Sequence, residues 1–127
     1  MFPDYYYTKD HEWVKVEGDQ GLVGITDFAQ KQLGDLVFIE LPAVGTRLAV
    51  HQKIGTIESV KAVSDVYCPV AGEVVAVNKD LESAPEFVNQ DPHGKGWIIR
   101  IKLANKSDLG GLMSVAEYEK YLAGLEH

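Results

Sequence analysis

Turn-forming residues punctuate this chain so closely that most of it has room only for short strands. Gly18-Asp19, Pro42, Val44-Gly45, Pro69-Val70-Ala71-Gly72 and Asn78-Lys79-Asp80 separate short apolar runs, the pattern of an all-β sandwich or barrel. Trp13-Val14-Lys15-Val16-Glu17 alternates and turns at Gly18-Asp19 into Gly21-Leu22-Val23-Gly24-Ile25, as a hairpin does. Further strands are predicted over 36–41, 47–50, 53–59, 63–67, 72–77 and 97–103. Two segments read as helix. One runs near 27–33, with Asp27 placed to cap it, Gln30 three residues on, and Gly34 to stop it. The other spans 114–125. Ser114-Val115-Ala116-Glu117 is a capping box, and Tyr118, Tyr121, Leu122 and Leu125 make one apolar stripe that predicts packing against the sheets. Residues 81–95, with Pro85 and Pro92, read as irregular. The predicted fold class is mainly β: two antiparallel sheets in a flattened barrel-sandwich, formed by residues 1–127 as a single domain.

Lys61 is the residue whose placement carries chemistry. It lies in Ile57-Glu58-Ser59-Val60-Lys61-Ala62-Val63-Ser64-Asp65, between the predicted strands 53–59 and 63–67, at the tip of a tight hairpin. Gly45 and Gly72 fall on either side of it, as two roughly equivalent halves would place them. A hairpin tip stands clear of its sheet, while the paired strands fix where the amine points. That geometry presents a lysine for covalent modification.

Charge and composition remove several alternatives. The chain carries 19 acidic and 12 basic residues, a formal net charge of −7, which disfavours binding to a nucleic acid backbone. No apolar run approaches the ~18–20 residues of a membrane span. Met1-Phe2-Pro3-Asp4 begins with neither a basic nor an apolar leader segment, so no signal peptide is expected. The one cysteine, Cys68, has no partner for an internal disulfide and fits a reducing compartment. Beside Pro69 it reads as a small packed hydrophobe rather than a nucleophile. His11, His51, His93 and His127 lack companions at metal-ligand spacing, so no metal is expected. Gly94-Lys95-Gly96 lacks the spacing of a phosphate-binding loop and reads as a turn. Leu125-Glu126-His127 reads as the possible start of a cloning tag and carries no functional weight.

The hairpin lysine, the glycine before it and the Pro-Val-x-Gly after it together resemble the biotinyl/lipoyl carrier fold, a barrel-sandwich hybrid. Biotin carriers set their lysine between two methionines, whereas this chain has Val60-Lys61-Ala62. Glu58-Ser59-Val60-Lys61-Ala62 is similar to the glycine cleavage system H-protein family. So are His11-Glu12-Trp13-Val14, Gly24-Ile25-Thr26-Asp27-Phe28-Ala29-Gln30, Leu33-Gly34-Asp35, Glu40-Leu41-Pro42, Asp91-Pro92 and Gly96-Trp97-Ile98, in order from about Tyr7 to Tyr121.

The resemblance implies a covalent carrier and not an enzyme: lipoate is joined to Lys61 as an amide. The arm accepts an aminomethyl group from glycine at the pyridoxal-phosphate decarboxylase (P-protein) and delivers it to the folate-dependent aminomethyltransferase (T-protein). Dihydrolipoyl dehydrogenase (L-protein) then reoxidises it. A lipoate ligase or a lipoyl/octanoyl transferase attaches the group, with Glu58, Gly45 and Gly72 as candidates for its recognition. Glu12 and Asp65 are the candidates for a surface cleft that holds the loaded, cationic arm, since a carboxylate is the natural partner of an ammonium group. Some relatives place a histidine just before the Leu-Gly pair, where this chain has Gln32. The chain is expected to be a monomer, in the bacterial cytoplasm or, in a eukaryote, the mitochondrial matrix. An H-like protein that relays lipoyl groups, a free-standing lipoyl domain serving another complex, and a Cys68-dependent hydrolase or transferase are the alternatives.

Overall fold

The computed structural model describes residues 5–125, without the Leu125 side chain. The expectations for Met1 to Asp4, for Leu125 in the helical stripe and for the tag-like Glu126-His127 end lie outside the described residues. Nine strands are arranged in two antiparallel sheets. They are β1 (Tyr5–Tyr7), β2 (Glu12–Glu17), β3 (Gln20–Ile25), β4 (Leu36–Ile39), β5 (Arg47–Leu48), β6 (Lys53–Ser59), β7 (Val63–Tyr67), β8 (Gly72–Val77) and β9 (Ile99–Leu103). The larger sheet runs β1-β2-β3-β9-β8-β5 and the smaller β4-β6-β7. This is the mainly β, sandwich-type fold that the turn spacing predicts, with α1 (Asp27–Leu33), α2 (Asp80–Ser83), α3 (Phe87–Gln90) and α4 (Val115–Leu125) around it.

Register explains where the core sits. Val14 pairs with Val23, and Val23 with Ile99, so one row of buried side chains crosses three strands of the larger sheet. Val74 and Ile101 make a second such pair. Ile39, Ile54, Ile57 and Val66 of the smaller sheet join them in one apolar cluster. Burying each such side chain contributes roughly 1.5–3 kcal/mol. A second cluster holds Tyr5, Tyr7, Trp13 and Tyr118, with the Tyr7 and Tyr118 rings stacked at 4.6 Å between centroids. Tyr121 and Leu122 pack against it, so α4 lies on the sheet through the stripe its sequence displays. Its capping box is formed: Glu117 accepts the Ser114 N–H at 3.0 Å, and Ser114 Oγ accepts the Glu117 N–H at 3.3 Å.

Four local features differ from what the sequence predicts. The N-cap of α1 is Thr26, whose hydroxyl accepts the Ala29 N–H; Asp27 is the first helical residue and accepts from Gln30 Nε2 at 2.7 Å. The span 81–95 is not wholly irregular, because α2 and α3 form single turns on either side of Pro85. Three strands are shorter than predicted, ending at Ile39 and Leu48 and starting at Ile99. Tyr5–Tyr7 forms β1, which pairs with β2 in a register that sets Tyr7 opposite Trp13.

Gly55, buried in β6, shows how closely the backbones approach: a methyl group there would run into the Glu40 carbonyl. Gly55→Ala should destabilise the protein by roughly 1–3 kcal/mol, as overpacking does. Gly110→Ala, in open space, should change little. Urea unfolding of both variants checks this, and equal midpoints would contradict the packing described.

Candidate functional site

The β6–β7 hairpin pairs Thr56 with Asp65, Ile57 with Ser64 and Glu58 with Val63, leaving Val60-Lys61-Ala62 as the tip. Ser59 closes it. Its N–H donates to the Ala62 carbonyl at 2.8 Å, and its hydroxyl accepts the Lys61 and Ala62 N–H groups at 3.3 and 3.0 Å. A serine hydroxyl that mimics a backbone turn in this way is common local chemistry. The Val60 N–H donates to the Asp35 carbonyl at 3.1 Å and ties the tip to the α1–β4 connection.

That connection lies beneath the lysine. Gly34 ends α1 at φ 79°, a left-handed backbone that glycine adopts without strain. A Cβ built on Gly34 would lie 3.4 Å from Lys61 Cε and 3.9 Å from Nζ, so the lysine stem lies along this bare backbone. The Lys61 amine is exposed and has no hydrogen bond or ion pair among the described residues. Asn89, on α3, holds the connection from behind. Its amide donates to the Gly34 carbonyl and to Gln30 Oε1, both at 2.9 Å, and accepts the Leu36 N–H at 3.0 Å.

Glu12 and Asp65, far apart in sequence, come together in one cleft of about 160 Å³. Gln32 and Leu33 of α1 form one wall, and Ser64 and Asp65 of β7 another. The cleft and the lysine therefore share the C-terminal end of α1 and the start of β7. The two acids differ in kind. Asp65 is exposed, ion-paired with Lys53 at 3.3 Å, and accepts the Tyr67 hydroxyl at 3.4 Å. Glu12 is only 3% exposed, so it is not the surface acid its sequence context suggests. Its carboxylate accepts the Thr8 hydroxyl at 2.8 Å and the Tyr67 N–H at 3.3 Å. Burial pushes the Glu12 carboxyl up to about 7, against the opposing pull of those two hydrogen bonds.

The other sequence candidates are dispersed. Glu58 sits in β6 between Phe38 and Val63, three residues before the lysine. Gly45 and Gly72 belong to the region of β5 and β8 at the far edge of the larger sheet, where the Gly45 N–H donates to the Val74 carbonyl at 2.7 Å. Cys68 is fully buried, with its thiol donating to the Val70 carbonyl at 2.9 Å. Burial pushes that thiol up to about 11, so it is protonated at neutral pH and unsuited to nucleophilic work.

Ser59, Gly34 and Asn89 shape the site without having been singled out as functional from sequence. Ser59 carries a local signal, a hydroxyl two residues before the lysine. Asn89 carries none, since 55 residues separate it from Gly34. Tyr118 is another such residue. Its buried hydroxyl lies 2.8 Å from His11 Nδ1 in the cleft wall and 2.8 Å from the Thr26 hydroxyl that caps α1.

A sandwich of two antiparallel sheets that stands a lysine clear of a hairpin tip, beside an acid-lined cleft, defines a lysine-presenting β protein. Comparison with known proteins is more specific. The family model described as "Glycine cleavage H-protein" matches residues 5–124, and the chain belongs to that family. A glycine cleavage system H protein of Symbiobacterium thermophilum is 54% identical over 93% of this chain and 92% of its own length. That of Halothermothrix orenii is 56% identical, over 94% of each. The crystal structure of a glycine cleavage system H protein from Mycobacterium marinum superposes with a TM-score of 0.88 at 36% identity, covering 97% of this chain and 99% of that one.

Glu12 makes a pH-dependent contribution to stability. The folded state holds its proton to higher pH than the unfolded chain, so this contribution is fully present below the ordinary value of 4.5 and is lost as pH rises through about 7. The loss is on the order of a few kcal/mol. Glu12→Gln should remove this slope. Urea unfolding of native and variant proteins at pH 5 and pH 8 should show the native protein losing ground to the variant at the higher pH. Parallel behaviour would mean that Glu12 is ionised at low pH like an ordinary surface acid.

Proposed function

We propose that this protein is the lipoyl-bearing carrier of the glycine cleavage system, with lipoate joined as an amide to Lys61. In this reading the aminomethyl group of glycine is collected at the P-protein and given up at the T-protein, and the carrier is reoxidised by the L-protein. The observation that supports it best is the Lys61 amine itself: exposed, unpaired among the described residues, and carried on a hairpin whose tip is held by Ser59 and Asp35. The residues present fit an acyl arm. The amine is accessible, and Gly34 leaves bare backbone along the lysine stem where a side chain would crowd it. When bound, lipoate supplies a ring disulfide capable of thiol–disulfide exchange.

The chain's own part is positional and electrostatic. Acylation removes one positive charge from a protein of net charge −7 and leaves a long flexible tether, which raises effective concentration at each partner without a tight interface. Asp65 supplies the exposed negative charge for a cationic cargo. Glu12, poised near neutrality, is the buried acceptor that closes the cleft floor. The cleft thus offers a loaded arm a resting place partly shielded from water, at the side of the lysine from which it departs. The bacterial relatives favour the cytoplasm as the place of action.

Incubation with lipoate, ATP and a lipoate ligase should add one lipoyl group on Lys61, seen in the intact mass. Lys61→Arg keeps the charge but offers no readily acylated amine and should accept none. The lipoylated protein should support glycine decarboxylation and bicarbonate exchange with a compatible P-protein, whereas the unmodified protein should not. Modification at Lys53, or exchange by Lys61→Arg, would refute this function.

Asp65→Ala should be lipoylated normally but lose its cargo severalfold faster in the absence of T-protein, on the order of 1 kcal/mol for one partly exposed charge contact. An unchanged lifetime of the loaded form would remove Asp65 from the site.

A further inference from the structure

Apolar side chains exposed to water gather around Lys61. Val37, Phe38, Val60 and Val63 are 54%, 50%, 70% and 65% exposed. Register places Phe38, Glu58 and Val63 side by side across the three strands of the smaller sheet, with the two apolar residues flanking the acid. Val60 adjoins Lys61 in the turn. A register shift between Leu36 and Phe38 accompanies an unusual burial pattern in β4, an edge strand: Leu36 and Ile39 face the core while both Val37 and Phe38 face solvent. An ordinary alternating strand would have hidden one of that pair. An exposed phenylalanine among valines on a sheet edge is a liability for a free protein, and contiguous patches of this kind mark contact surfaces.

We propose that Phe38, Val60 and Val63 form an apolar docking surface for the enzyme that acylates Lys61, flanking Glu58, which the family resemblance already offers for that recognition. This rests on the carrier reading given above and names the partner of the same lysine. The unmodified amine stands on a stem of only four carbons, so an acyl carbon can reach it only if the acylating enzyme touches the hairpin tip and its flanks. Partners that receive the extended arm later have no such need. The surface also states its complement: an apolar rim around the acyl channel, with a cationic side chain opposite Glu58. The chain's negative net charge favours such a basic-edged partner.

The test measures acylation of the full chain by an ATP-dependent bacterial lipoate ligase, with lipoate and ATP, across protein concentrations. Phe38→Ser should lower kcat/KM about tenfold, through KM, as loss of an aromatic anchor does. Val60→Ser lies in the turn, outside both strands, and should lower it severalfold even if Phe38→Ser proves unstable in urea. Glu58→Gln should raise KM and weaken its dependence on salt. Val44→Ser and Val50→Ser, at exposed valines elsewhere, should behave as native. If the native protein is acylated and the Phe38 and Val60 variants match it, the docking surface is wrong and the carrier reading stands. Normal acylation of those variants with a raised KM in glycine decarboxylation would likewise overturn the proposal, assigning the patch to the decarboxylase. If the native chain is never acylated, both readings fall together.

Discussion

The connection from Gly34 to Leu36 is the constraint on which the surroundings of Lys61 depend. It receives the hairpin tip through the hydrogen bond from Val60 to Asp35, and it is stitched to α3 by two hydrogen bonds of one side chain, Asn89, whose third goes to Gln30 of α1. Without that anchorage the Val60-Lys61-Ala62 turn would be an ordinary mobile loop tip. With it, the amine has a defined origin while the stem stays free. Gly34 serves two needs in one residue, ending α1 with a positive φ and leaving space along the lysine.

The same connection joins the lysine to the cleft, because α1 supplies the cleft wall immediately before it. The start of α1 is in turn held from a distance. Tyr118 of α4 reaches both Thr26, the cap of that helix, and His11, which also lines the cleft. The C-terminal helix is therefore more than a cover for the Tyr5, Tyr7 and Trp13 cluster. Its Tyr118 hydroxyl bonds both to a cleft residue and to the cap of the helix that supplies a cleft wall. Burial raises the Tyr118 hydroxyl to about 12 and lowers His11. The bridge is accordingly neutral at physiological pH, as suits a fixed structural link.

Two carboxylates in one small cleft would repel if both were ionised and desolvated. The structure separates their environments instead: Asp65 is exposed beside Lys53, and Glu12 is buried against Thr8 and the Tyr67 N–H. Burial raises the proton affinity of Glu12. Glu12 becomes a hydrogen-bonding group whose charge follows pH.

What can be read without coordinates is what depends on near neighbours. The limits 53–59, 63–67 and 72–77 coincide with β6, β7 and β8, because each is an apolar run closed by its own turn residues. The capping box of α4 and the Gly34 stop are likewise local chemistry. The cap of α1 lies one residue before the predicted Asp27, because Thr26 and Asp27 are both good caps and only the chain path out of β3 decides between them. The one-turn helices near Pro85 are not legible in the sequence, because four residues carry no periodicity. The placement of Lys61 at a hairpin tip belongs to the sequence alone. The burial of Glu12, its meeting with Asp65, the reach of Asn89 to Gly34 and of Tyr118 to Thr26, and the outward turn of Phe38 belong to the tertiary structure. Each depends on which surfaces the two sheets and α4 cover. Solvent exclusion and long-range hydrogen bonding are properties of the packed whole, and no window of neighbouring residues contains them.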